Sequence, residues 1–127
     1  MKILQLGRFY APSTGGIETV MYDVTEVLNE YEEASCDVLC SSKNYTYEES
    51  STNNYKVIRT KSLGVSFSTS ITPQMIFKLK EIINNYDIIH VHLPDPMANI
   101  ALMLVDCSKQ KIILHWHSDV VKQWILS

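Results

Sequence analysis

All four histidines of this 127-residue chain occur in two His-x-His pairs, His90 with His92 and His115 with His117. Each pair falls near the end of a predicted strand, where alternate residues project from the same face. Imidazoles grouped in this way can ligate a metal ion together with a nearby carboxylate. They are also often hydrogen-bonded in a polar crevice. The spacing His-x-His-x-x-Asp matches no familiar metal signature, so we expect no metal site and keep a metal-binding module as the alternative.

His117, Ser118 and Asp119 are the residue types of a hydrolytic triad, in direct succession. The members of a triad converge through the fold, because adjacent residues cannot align as nucleophile, base and orienting group. We therefore do not expect a hydrolase built on these three residues alone.

Gly15 and Gly16 stand where an apolar strand gives way to residues with helical spacing. Glycines at that position let a ligand approach backbone N–H groups at the positive end of a helix dipole, which suits a diphosphate. Neither the dinucleotide fingerprint G-x-G-x-x-G nor the P-loop is present. The alternative is a tight turn that needs a positive φ angle.

Short apolar runs and helical spacing predict the elements that position these residues. Residues 41–54 and 62–70 are polar and predict loops. The segment at 97–105, capped by Asp95, is apolar on nearly every side and is expected to be buried. The predicted strands are 2–6, 37–40, 55–60, 87–93 and 111–116, and the predicted helices are 17–28, 73 to about 85 with Thr72 as its cap, and 97–105.

The alternation of strands and helices predicts an α/β fold with a doubly wound parallel sheet and right-handed crossovers. Ligands of such sheets lie beyond the carboxyl ends of the strands. The loop from Arg8 to Gly16 and the two histidine-bearing segments follow predicted strands. We therefore expect them to meet at one edge of the sheet.

Composition limits the function classes. A net charge of −3 and a pI near 5.7 give no basic surface for nucleic acid. Cys36 and Cys40, if on one strand, lie about 13 Å apart, beyond disulfide reach, so a reduced cytoplasmic chain is expected. No apolar run approaches the ~20 residues of a membrane span. Any membrane contact is expected to be peripheral, at the inner face.

Three blocks follow one another along the chain: "KILQLGRFYAPSTGGIETVMYDVTEVL", "DIIHVHLPDPMANIAL" and "IILHWHSDVVKQ". Together they resemble the N-terminal half of the family 4 retaining glycosyltransferases. The resemblance implies the GT-B architecture, two Rossmann-like domains that face each other across a cleft. Residues 1–127 would form the N-terminal, acceptor-side domain, while the nucleotide sugar would be held mainly by a C-terminal domain.

The resemblance also implies roles for residues of the first block. Gly15 and Gly16 match the glycine loop that faces the diphosphate and the transferred sugar of the donor. Glu18 matches the glutamate of the same loop and is a candidate substrate contact. A simpler role for Glu18 is a favourable interaction with the first turn of its helix.

In the later blocks, His117 matches the histidine at the cleft, expected near the sugar and its leaving phosphate. Asp119 beside it is the second candidate catalytic residue, and Ser118 is a candidate substrate contact. His92 matches a position that lines the acceptor side.

The reaction implied is transfer of a sugar from a nucleotide diphosphate sugar to a saccharide or lipid-linked hydroxyl, with retention of the anomeric configuration. No cofactor is expected, and no Asp-x-Asp metal motif is present. The donor-binding domain of the family, with its Glu-x7-Glu motif, is not in the sequence, and the N-terminal domain looks cut short. We therefore expect the chain alone to be inactive and to self-associate through exposed apolar surface.

Overall fold

A computed structural model describes residues 1–13, 15–52, 54–66 and 69–117 of the chain. The candidate site residues Ser118 and Asp119 lie outside these ranges. The strands are β1 Lys2–Leu6, β2 Ser35–Ser41, β3 Glu48–Thr52, β4 Tyr55–Thr60, β5 Val65–Ser66, β6 Thr69–Ser70, β7 Ile88–Leu93 and β8 Lys111–Trp116. The helices are α1 Gly16–Leu28, α2 Gln74–Ile82 and α3 Pro96–Leu104, and a 3-10 turn, Ile83–Asn85, follows α2.

Six strands form the main sheet, in the order β3-β4-β2-β1-β7-β8. All neighbours from β4 to β8 pair in parallel, which confirms an α/β, Rossmann-like fold. β3 pairs antiparallel with β4, so the sheet is mixed at this edge. The loop predicted at 41–54 was therefore wrong over Glu48–Thr52. The faces and the outer edge of a strand at the edge of a sheet can remain in contact with water. Such a strand can therefore be polar throughout and lack the alternation that predicts a strand.

Helices cover both faces of the sheet. On one face, Met21 of α1 packs against Val38 and Cys40 of β2 and Val57 of β4. On the other face, α2 and α3 pack against alternate residues of β1, β2 and β7 in the larger of the two clusters. The apolar spacing that predicted α1 is confirmed. None of the helices in the described ranges has the length and hydrophobicity needed to cross a bilayer.

The cysteines pack as thiols within this core. Cys36, Cys40 and Cys107 are all free, which confirms that Cys36 and Cys40 do not form a disulfide. Burial raises the pKa of Cys36 to about 11 and that of Cys40 to about 12. Both thiols are therefore protonated at neutral pH and inert as nucleophiles.

Two helix predictions need correction. Thr72 does not cap α2, since its hydroxyl is 2.7 Å from that of Thr60 and ties the helix start to β4. The helix α3 is not buried all round. Met97, Ala98 and Ala101 face the core, whereas Met103 is 83% exposed. Apolar composition shows that a face can be buried, but it does not show what covers it.

The capping of α3 by Asp95 is confirmed, because an oxygen of this carboxylate accepts a hydrogen bond from the backbone N–H of Met97 at 3.2 Å. Proline at the first position of the helix has no N–H group to satisfy there. This cap fixes the turn that leads from β7 into α3 at the carboxyl edge of the sheet.

Candidate functional site

The carboxyl ends of β1, β7 and β8 form one edge of the sheet. These three strands are parallel neighbours, so the segments that follow them emerge on the same side. The loop with Arg8 and Gly15 follows β1, Asp95 follows β7, and His117 follows β8, where its N–H donates to the carbonyl of Leu93 at 3.0 Å. For the described parts of these segments, the predicted convergence at one edge is confirmed.

The four histidines come together in a single stack, which we call the imidazole cluster: His90, His92, His115 and His117. In the β7–β8 ladder His92 lies opposite His115, so both pairs project from the face that α1 partly covers. Neighbouring ring centroids are 4.3 to 5.3 Å apart. Spacing within each pair predicted a shared face, and the register between the strands joins the two pairs.

A buried chain of hydrogen bonds orients two rings of this cluster, His92 and His117. His92 Nε2 lies 2.6 Å from Gln5 Oε1, an oxygen that only accepts, so this ring nitrogen donates. In the neutral ring the other nitrogen, Nδ1, is then an acceptor. It lies 3.1 Å from Nε2 of His117, which donates to it. The chain from Gln5 through His92 therefore fixes the ring plane of His117.

Burial keeps the inner rings neutral. It lowers the pKa of His90 to about 4 and that of His92 to about 3, and the neighbouring imidazoles add a smaller effect in the same direction. Removing a cation from water is costly, and a second positive charge within the stack would be repelled. At neutral pH, His90 and His92 are therefore hydrogen-bonding rings with available lone pairs and carry no charge.

Gly15 makes room for a buried carboxylate at the start of α1. A Cβ at this position would overlap the Glu18 side chain, which folds back over the glycine. Glu18 Oε1 lies 3.6 Å from the Arg8 guanidinium. The φ angle of Gly15 is 169°, an extended value open to any residue, so the alternative of a turn with positive φ is wrong for Gly15. A larger residue here would require the end of the Glu18 side chain to move.

Asp95 is a buried carboxylate at the same edge. Its Oδ2 has no hydrogen-bond partner among the described residues. Burial raises the pKa of Asp95 to about 6, although backbone hydrogen bonds and the charge of Arg8 oppose this shift. Asp95 therefore ionises close to neutral pH.

Two residues that shape the site were absent from our candidates. Gln5 is buried in β1, and its only sequence signal is a polar side chain within an apolar strand. Arg8 pairs with Glu18, and its basic charge directly after β1 was the available signal. The predicted residues Gly15, Glu18, His92 and His117 all lie at or just below the carboxyl edge. His92 is only 1% exposed and lies beneath His117.

An open cavity of about 470 Å³ lies at the opposite, amino-terminal edge, beside Lys2 and Lys56. Asp37 there accepts hydrogen bonds from the Lys56 backbone and from the Tyr86 hydroxyl and so is used by the fold. The imidazole cluster and the buried carboxylates lie at the carboxyl edge, so that edge is the candidate site.

Comparison with known proteins identifies the family of the chain. The family model for Glycosyltransferase Family 4 matches residues 14–127. The chain is 31% identical, over 124 residues, to the O-antigen chain mannosyltransferase C of Escherichia coli. That alignment covers 97% of this chain and 33% of the relative, so the chain spans about a third of the relative's length. No solved structure gives a significant match. The chain belongs to glycosyltransferase family 4.

Proposed function

We propose that the chain is the N-terminal, acceptor-side domain of a glycosyltransferase that moves a sugar from a nucleotide diphosphate sugar to a saccharide or lipid-linked hydroxyl, with retention. The relative's name describes a mannosyltransferase that acts on an O-antigen chain. We extend from it a mannose donor and a growing saccharide acceptor for this chain. The transfer uses no cofactor besides the donor, and it takes place at the cytoplasmic side of the membrane.

One observation carries this proposal: the start of α1, the Arg8–Glu18 pair and His117 share one edge of the sheet. Departure of a nucleoside diphosphate builds negative charge on its phosphate oxygens. Backbone N–H groups at a helix start, together with a guanidinium, stabilise that charge without reorganising during the reaction. The edge therefore has the polarity that a leaving diphosphate requires.

His117 is proposed to contact the sugar and its leaving phosphate, while His92 orients the ring of His117 through their hydrogen bond. The burial of His92 and its bonds to Gln5 and His117 favour this indirect role over direct contact with the acceptor. Asp119, Ser118 and Gly16 keep the roles implied by the family resemblance. Glu18 is proposed to set the position of Arg8 at the glycine loop.

We also propose that the 127-residue chain does not turn over a donor by itself. Rate acceleration in such transfers depends on holding donor and acceptor at reacting distance, which one wall of a cleft cannot do. Nuclear magnetic resonance titration of the ¹⁵N-labelled chain tests the site without needing turnover. The ligands are nucleoside diphosphate mannose and, separately, a mannose-terminated oligosaccharide.

We expect shifts at the amides of Gly15, Gly16 and His117, and none at Lys2 and Lys56 on the opposite edge. Arg8→Gln should abolish the response to the donor and leave the spectrum folded. Shifts confined to the amino-terminal edge would overturn the site assignment. Release of nucleoside diphosphate by the purified chain would overturn its proposed inactivity.

A further inference from the structure

The imidazole cluster places three further ring nitrogens close together, besides orienting His117. His92 and His117 belong to the hydrogen-bonded chain from Gln5, whereas His90 and His115 lie on the same face of the sheet and are half-buried. One ring nitrogen from each of His90, His92 and His115 lies within 4.8 Å of the other two. Three imidazoles thus converge on one point from two neighbouring strands.

We propose that His90, His92 and His115 form a binding site for a divalent transition-metal ion, with Zn²⁺ as the ion that three imidazoles suit best. This replaces our expectation from sequence that the chain has no metal site. The proposal goes beyond sugar transfer and does not depend on it.

Distances within the cluster support the proposal. Zinc binds imidazole nitrogen at 2.0–2.1 Å, so two ligands of a tetrahedral ion are about 3.3 Å apart. His90 Nε2 and His115 Nδ1 are 3.2 Å apart, a separation that suits either one shared proton or one shared ion. The remaining separations lie within 4.8 Å, so binding of an ion requires His92 and the pair of His90 and His115 to move closer together.

The surroundings of His92 prepare it as a ligand. Ligating histidines usually donate their second ring N–H to a carbonyl or carboxylate, which fixes the tautomer and raises the basicity of the ligating nitrogen. The bond from His92 Nε2 to Gln5 Oε1 is a contact of this kind and leaves the lone pair on Nδ1. His117 Nε2 shares that lone pair at 3.1 Å, so His117 competes with the ion for His92.

The ligand number indicates the type of site. Structural zinc sites are usually closed by four protein ligands, whereas three protein ligands leave one position for water or another small ligand. Both His90 and His115 are half-buried, which gives an ion a path from solvent. The cluster therefore fits an open site with three imidazoles.

Cobalt binding to the metal-stripped chain tests the proposal, since Co²⁺ in a tetrahedral site has a visible ligand-field spectrum. We expect one Co²⁺ per chain, displaced by one Zn²⁺. His90→Gln and His115→Gln should each weaken binding at least tenfold. His117→Leu is the matched control next to the strand that holds His115. It removes the N–H donor that competes for His92, so it should not weaken binding.

The proposal is overturned if the chain binds no Co²⁺ stoichiometrically, or if binding is as tight in His90→Gln and His115→Gln as in the unaltered chain. Far-ultraviolet circular dichroism checks that each variant folds. If a variant does not fold, X-ray absorption of the zinc-loaded, unaltered chain decides the question. Three imidazole ligands support the site, and a shell made only of oxygen ligands excludes it.

Discussion

β1 and β8 are apolar strands in the same parallel part of the sheet, with β7 between them, yet their burial differs. In β1, Leu4 and Leu6 are fully buried against α2 and α3. In β8, Ile112, Ile113, Leu114 and Trp116 are all exposed. The comparison shows that an apolar strand pattern predicts pairing in the sheet reliably, while burial depends on which helices reach the strand.

Truncating one leucine in each strand measures this difference directly. Leu4 is 0% exposed and Leu114 is 61% exposed, although both face the side of α2 and α3. Leu4→Ala should lower the free energy of unfolding by ~2–5 kcal/mol, because it opens a cavity in a packed core. Leu114→Ala should change it by less than about 0.5 kcal/mol, as is usual at exposed positions. Chemical denaturation of both variants, at a protein concentration at which the chain is monomeric, gives the comparison.

Equal losses in the two variants would show that β8 is covered in solution and would remove the contrast between the strands. A smaller loss for Leu4→Ala than for Leu114→Ala would contradict the packing of β1 itself.

The turn from β7 into α3 gives a second contrast, since here the fold buries a charge. The pKa of Asp95 is raised to about 6 from 3.8, so the folded state binds a proton more tightly than the unfolded state. The cost of the buried charge is absent below about pH 4, grows as the pH rises from about 4 to 6, and is nearly complete at pH 7. Asp95→Asn should therefore stabilise the chain at pH 7 by about 2–3 kcal/mol, at 1.36 kcal/mol per pKa unit.

Asparagine is as good a helix cap as aspartate, so the bond to Met97 does not confound this substitution. Thermal unfolding of both forms between pH 4 and 7.5 should show a gain that vanishes at the acid end. Asp23→Asn, on the exposed side of α1, is the control and should show no such pH-dependent gain. A gain of equal size at pH 4 would contradict the titration of Asp95.

Periodicity in the sequence was sufficient for the parallel part of the fold. The spacing of Ile17, Val20, Met21 and Val24 placed α1, and the apolar runs placed the strands that bury both faces. β3 was missed because its polar residues pair only through their backbone with β4. The exposure of α3 was missed because composition carries no information about neighbours that are distant in sequence.

Local sequence patterns were also sufficient for only part of the candidate site. The spacing within His-x-His pairs places two rings on one face, and the order of strands places both pairs at one edge. The bond from His92 to Gln5 joins residues 87 positions apart, and no local pattern reports it. Likewise, the contact between Gly15 and Glu18 depends on how the Glu18 side chain folds back, and no local pattern reports it.

The smallest effect concerns association through the exposed apolar residues of β8. Exposed apolar surface of this kind favours contact between copies of the chain, so we expect concentration-dependent self-association. Leu114→Lys should weaken it about tenfold, or about 1.4 kcal/mol, because a charge must lose water at the contact. Val27→Lys makes the same change at an exposed position on α1 and should leave association unaltered. Sedimentation equilibrium measures both, and an equal response to the two substitutions would exclude β8 as the contact surface.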